Sequence, residues 1–165
     1  MPIGHAHSST SKVRSTIFMC VASEIFGTEQ KRKILKMSAK SKGINAEREL
    51  IHLFWNSGWA AIRVAGSGNS QFPSPDLVAG NIARKLAIEC KALKGEKKYL
   101  SEEDISQIKE FSSKFGSETW FAVRFNKQKW FFLRTEDLEK TRTGYAVSLE
   151  LAKQKGLIFE ELISV

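Results

Sequence analysis

Cysteine is nearly absent: Cys20 and Cys90 are the only two in 165 residues. Two thiols cannot build a disulfide framework or a structural zinc site, so the chain reads as a reduced, cytoplasmic protein. Long apolar runs are missing too. The patch Ile17 to Ala22 is too short to span a bilayer, and although Lys12 and Arg14 precede it, no clear small-residue cleavage site follows. His5 and His7 have no further metal-type ligands around them and are read as incidental. Negative charge is in deficit, with 18 Asp/Glu against 26 Lys/Arg and a net charge of +8. The excess is uneven: residues 1–36 hold six basic and two acidic side chains, residues 40–98 ten and five, and residues 99–165 ten and eleven. A basic first half suits an anionic partner, since clustered positive charge attracts phosphates. What is present suffices for one domain with a proper core: 42% of the residues are hydrophobic.

The acids that do occur in the basic half are placed unusually. Pro75-Asp76 lies 13 positions before Glu89, in the run Glu89-Cys90-Lys91. That separation lets one strand leave Asp76, turn at Gly80-Asn81, and return through Leu86 to Lys91, setting the two carboxylates side by side. Side chains alternate across a strand, so Leu86, Ile88 and Cys90 face one way and Ala87, Glu89 and Lys91 the other. Two carboxylates are hard oxygen ligands for Mg²⁺, which can neutralise a phosphodiester and activate water, and Lys91 can stabilise charge developing on the phosphate. A surface hairpin with a Glu–Lys ion pair is the plainer reading of the same residues.

A third acid has a similar character. Residues 43–57 read as a helix closed by Gly58, and at 100° per residue Glu47 is centred on the stripe of Leu50, Ile51 and Phe54. A carboxylate there is costly unless something pairs with it. It is expected either to point at the metal site or to snorkel from the first turn, where the helix dipole favours it. Arg48 and Glu49 fall off the stripe and read as solvated.

Together, Lys42-Gly43, Ala46-Glu47-Arg48-Glu49-Leu50, Arg63 before Gly66-Ser67-Gly68, Pro75-Asp76-Leu77-Val78-Ala79-Gly80 and Ile88-Glu89-Cys90-Lys91 resemble the archaeal Holliday junction resolvases, a branch of the PD-(D/E)xK nucleases. The resemblance runs from about Ser41 to the C-terminus. It implies an α/β fold with a restriction-endonuclease-like core, a central mixed β-sheet flanked by helices. It also implies Mg²⁺, with Mn²⁺ able to substitute, and no small-molecule cofactor. The implied catalytic residues are Glu47, Asp76, Glu89 and Lys91, with Ser67 as a loop serine close by. The metal set is Asp76, Glu89 and Glu47, with Cys90 between the motif residues placed in the same set. The resemblance implies DNA contacts at Arg48 and Arg63; Lys42, Ser67 and Lys94 are expected to join them, with a solvated charged face the plainer reading of Lys94. The implied activity is paired symmetric nicking of four-way junctions during recombination and repair. Another repair or restriction-like nuclease, or a non-catalytic DNA-binding module, are the alternatives. Residues 41–165 are then the nuclease domain. Residues 1–40 are an extension, either a flexible basic arm or a stretch before a start at Met37.

The remaining chain reads as a first strand over 60–64, a helix over 102–115 capped by Ser101, and strands over 119–125 and 129–134 joined at Asn126-Lys127-Gln128. Ser101 with Asp104 resembles a capping box, although such boxes prefer Glu or Gln at the later position. Trp120, Phe121, Phe125, Trp130, Phe131 and Phe132 exceed what one sheet face can bury. Part of this set is therefore expected to face a partner, which the resemblance implies is a second copy forming a two-fold dimer, with no membrane involved; the alternative is that the helix over 102–115 and the C-terminal segment over 149–163 cover both faces within one chain.

Overall fold

The computed structural model describes residues 43–64 and 71–164. The N-terminal extension, Lys42 and Ser67 lie outside the described residues.

The first helix, α1, covers residues 43–56, and its apolar stripe of Ala46, Leu50 and Phe54 is buried. Gly58 at φ 78° ends it in the left-handed conformation that glycine tolerates. The chain then enters β1 (Ala60–Arg63), β2 (Leu77–Gly80) and β3 (Lys85–Ala92). Both pairings are antiparallel. Asn81 makes the β2–β3 turn, its Oδ1 accepting from the amides of Ala83 at 2.9 Å and Arg84 at 2.8 Å.

After β3 come β4 (Lys97–Ser101) and α2 (Glu102–Phe115). Ser101 Oγ accepts from the Asp104 amide while the Asp104 carboxylate accepts from the Ser101 amide, a complete capping box. Gly116 at φ 66° closes the helix. Next, β5 (Glu118–Arg124) lies parallel to β3, and β6 (Trp130–Leu133) returns antiparallel to β5. The main sheet is therefore mixed, in the order β1-β2-β3-β5-β6. A 3₁₀ turn (Thr135–Asp137), β7 (Glu139–Thr141), β8 (Gly144–Ser148), α3 (Leu149–Lys155) and α4 (Phe159–Ser164) complete the chain. Here β4, β8 and β7 form a second, three-stranded sheet that the sequence reading did not anticipate.

The main sheet is a middle layer. On one face Leu86, Ile88, Trp120, Trp130 and Phe132 pack with Leu50 and Phe54 of α1 and Phe159 and Leu162 of α4. On the other, Ala87, Phe121, Val123, Phe125 and Phe131 pack with Ile105 and Ile108 of α2 and with Leu100 and Val147 of the small sheet. This corrects the expectation of surplus aromatics. All six are buried in the single chain, the most exposed being Phe131 at 8%. The reason is that both faces of a sheet with a parallel crossover are covered, so both sets of alternating side chains become core. The indole N–H groups are also satisfied, Trp120 donating to Glu118 at 3.0 Å and Trp130 to Glu49 at 3.1 Å. An Asp at Trp130 or Phe132 would put an unpaired charge in the core, so it would test folding and not association.

Glu49 corrects a smaller expectation. It is not simply solvated, because it pairs with Arg124, whose guanidinium lies 4.8 Å from the centroid of the Trp130 ring. Among the described residues no helix is long and apolar enough to cross a membrane.

Candidate active site

Register places the two motif acids together. Leu77 stands opposite Ile88, and extending that antiparallel pairing by one residue sets Asp76 against Glu89 on the α2 side of the sheet. Buried Pro75 fixes the backbone entering β2, and the Asp76 carbonyl accepts from the Val64 amide at 3.0 Å. Asp76 Oδ2 accepts from the Cys90 amide at 3.0 Å, tying its carboxylate to β3. Lys91 Nζ donates to Glu89 Oε1 at 2.6 Å. These side chains line a cleft of about 310 Å³ with Ser74, Asp104, Gln107 and Ile108, between the sheet and α2.

The electrostatics are those of acids crowded into a partly dry site. Burial, reinforced by Asp76 and opposed by Lys91, raises the Glu89 carboxyl to about 6. Lys91 is partly desolvated, which alone would lower its pKa, yet contact with Glu89 outweighs this and holds the ammonium above its ordinary value. Burial, with Asp76, Glu89 and Glu47 around it, drives the Cys90 thiol well above its usual range. A neutral thiol packed against the core beside Leu86 and Ile88 is no ligand for a hard cation. What Cys90 gives the site is its amide.

The other expected site residues are distributed around this cleft. Glu47 does not line it; α1 packs on the opposite face of β3, and the Glu47 carboxylate is ion-paired with Arg63. Its field nevertheless reaches Cys90 along with those of Asp76 and Glu89, so three acids surround the end of β3 from two faces. Arg63, expected at DNA, is thus engaged with an acid, while Arg48 is exposed. Lys94 is exposed beyond β3, in a mixed polar and apolar hollow that Arg124, Phe125 and Lys127 also line. The sequence reading missed Ser74 and Asp104. Ser74 gives no signal before Pro75, and Asp104 was absorbed into the capping box.

The donor set fits a hard divalent cation. Burial chiefly, with a smaller contribution from the opposed Asp76 carboxylate, raises Glu89, so a cation placed between the two acids would relieve both. The Ser74 hydroxyl is buried with no hydrogen-bond partner among the described residues, as expected beside a group that is supplied from solution. Among the described residues no three His, Cys, Asp or Glu side chains gather as a metal group. A two-carboxylate set suits Mg²⁺, which keeps several water ligands, better than zinc, which needs a closed set.

If Glu89 holds the cation, its proton must be displaced, and the apparent affinity is then expected to fall about tenfold per pH unit below about pH 6 and to level off above it. Calorimetric Mg²⁺ titration at about pH 5 and about pH 7.5 measures this, and equal affinities would contradict the role of Glu89. In the cation-free protein the same raised pKa means that stability contributed by neutral Glu89, present below the ordinary carboxylate range, is lost as pH rises through about 6.

A mixed sheet with Pro-Asp leading into one strand and Glu-x-Lys on the next, both acids and the lysine in one cleft, defines a nuclease of the PD-(D/E)xK class. Comparison with known proteins narrows this. The family described as archaeal Holliday junction resolvase (hjc) matches residues 38–165, and the chain belongs to that family. It is 43% identical over 129 residues to the crossover junction endodeoxyribonuclease Hjc of Archaeoglobus fulgidus, covering 74% of this chain and 95% of that protein. To the Hjc of Sulfolobus acidocaldarius it is 37% identical over 130 residues, covering 77% and 90%. A solved structure of Archaeoglobus fulgidus Hjc, described as a Holliday junction resolvase, superposes with a TM-score of 0.68 at 40% identity, over 72% of this chain and 95% of that one.

Proposed function

We propose that the protein is a Mg²⁺-dependent Holliday junction resolvase that nicks two opposed strands of a four-way DNA junction. The observation that carries this reading is Asp76 facing Glu89, with the Lys91 ammonium 2.6 Å from Glu89, in one cleft of a resolvase-family fold. Asp76 and Glu89 would hold the cation, which supplies charge neutralisation at the scissile phosphate and a more acidic attacking water. Lys91 remains protonated and donates to phosphate oxygens as charge builds on them. Glu47, fixed by Arg63, adds a third negative centre at the other face of β3. Arg48 and Lys94 are exposed and can track the backbone of the DNA. Incubation with Mg²⁺ and a labelled four-way junction beside a linear duplex of the same sequence tests the proposal. Equal cutting of both substrates would favour a general repair nuclease, and no cutting of either would leave a binding module.

Paired nicking calls for two sites related by the junction's approximate two-fold symmetry, hence a homodimer. With the β5–β6 aromatics internal, the interface is assigned to a different surface. At the far edge of the sheet, among the described residues, β1 pairs only with β2, and Ile62 is 63% exposed. Next to it, Phe115 at 44% and Phe72 at 78% exposure join Phe111 in one apolar groove. An open strand edge beside exposed aromatics suits a second copy of the chain. The other edge is already covered, since Phe132 exchanges two backbone hydrogen bonds with Leu157. Phe115→Glu is expected to shift sedimentation from dimer to monomer while the melting temperature stays near that of the wild type. A cruciform plasmid, linearised only when both strands are cut in one encounter, should then yield nicked circles. A wild-type protein that sediments as a monomer yet linearises the plasmid would rule this out.

A further inference from the structure

Asp104 belongs to the cleft, and the capping box alone does not account for it. Its Oδ2 accepts from the Ser101 amide at 2.9 Å and from Ser101 Oγ at 2.6 Å, so the box holds the carboxylate still. The same side chain lines the cleft with Glu89 and Lys91. Its charge is felt at both, and it stays ionised because the Ser101 bonds and the nearby Lys91 and Lys98 ammonium groups overcome its partial burial.

Lys91 has a conflict to resolve. Its ammonium is bonded to Glu89, but Glu89 is also a carboxylate that the cation requires. Glu89 cannot give the same oxygen to both, and two cations on one carboxylate repel. A lysine that must stay in the cleft after leaving Glu89 needs another anion within reach. Asp76 is the second acid of the cation pair, which leaves Asp104 as the remaining carboxylate among the described residues lining the cleft.

Resting on the metal-site reading above, we propose that Asp104 is a positioning residue: it receives the Lys91 ammonium when Glu89 turns to the cation, and so lowers the competition between Lys91 and the metal. The box then has a second use. Asp at this position takes the place of the usual Glu or Gln and brings a fixed anion to the edge of the site.

A double-mutant cycle on the full-length protein, read by calorimetric titration with Mg²⁺ alone, tests this. Asp104→Asn should weaken Mg²⁺ binding on the order of fivefold while Lys91 is present, and should have no effect when combined with Lys91→Ala, because the competitor is then gone. Equal weakening in both backgrounds would mean that Asp104 attracts the cation directly, and no weakening in either would mean that it only caps α2; both overturn the proposal. Ser101→Ala controls for the cap, since Asp104 keeps its bond from the Ser101 amide. It should weaken Mg²⁺ binding clearly less than Asp104→Asn does, and a loss equal to that of Asp104→Asn would overturn the assignment. In cleavage, Asp104→Asn should lower kcat with junction KM unchanged, and Asp104→Glu, which keeps charge and box, should restore most of it. A KM effect, or no rescue, counts against the role. A wild-type protein that binds no Mg²⁺ would defeat the metal-site reading itself. The other failures would leave that reading standing.

Discussion

Asp76→Asn and Glu89→Gln are each expected to reduce junction cleavage on the order of 10³-fold or more, while junction affinity stays close to that of the wild type. The asymmetry follows from where each function resides. On the proposed reading, chemistry depends on two carboxylates set opposite each other by the β2–β3 register, and neither amide could neutralise a cation. On the same reading, binding rests on phosphate contacts from exposed basic side chains such as Arg48 and Lys94, and these are untouched. Loss of negative charge in the cleft should, if anything, tighten binding. Both substitutions conserve shape, and the side-chain carbonyl oxygen introduced by Asp76→Asn would still accept from the Cys90 amide, so melting temperatures should change little. Single-turnover cleavage and a gel-shift titration on the same junction separate the two effects. Full activity of either variant in Mg²⁺ would remove these residues from the site.

Lys91→Ala should lower the single-turnover rate on the order of 10²-fold, with junction affinity nearly constant. Lys91 is half-buried, is kept protonated by Glu89, and lies in the cleft and not on the outer surface, so its charge acts where the dielectric is low. An ordinary surface lysine would instead weaken binding, and the defect would vanish at low salt. Measuring rate and affinity at two ionic strengths distinguishes these. A purely salt-dependent binding defect would reduce Lys91 to a phosphate contact.

The parts of this architecture that could be read from the sequence are those fixed by short-range rules. The α2 boundaries follow from Ser101 and Gly116, and the β2–β3 hairpin from Asn81 and from the alternation of Leu86, Ile88 and Cys90 with Ala87, Glu89 and Lys91. Asp76, Glu89 and Lys91 could be placed together because a hairpin needs only local spacing. Long-range features were hidden. The strands β4, β7 and β8 carry polar runs such as Lys97-Lys98-Tyr99 and Glu139-Lys140-Thr141, whose extended form comes from pairing with each other. The fate of the aromatics depended on whether the sheet is covered on one face or two, which no local pattern states. The Arg63–Glu47 and Arg124–Glu49 pairs join residues 16 and 75 positions apart, and only the fold brings them into contact.

The position of β3 between two covered faces has a consequence for errors in folding. It is paired with β2 on one side and β5 on the other, and its side chains alternate between the layer against α1, which takes Leu86, Ile88 and Cys90, and the α2 side, where Ala87 is core and Glu89 and Lys91 line the cleft. A slip of one residue in the β2–β3 turn would send Glu89 and Lys91 into the apolar layer against α1 and bring Cys90 and Ile88 out toward the cleft. Misfolding of that strand therefore cannot yield a stable but misdirected nuclease, since the same slip that scrambles the reactive groups also buries charge and unfolds the domain. Correct placement of the reactive groups and stability of the domain therefore depend on the same strand register.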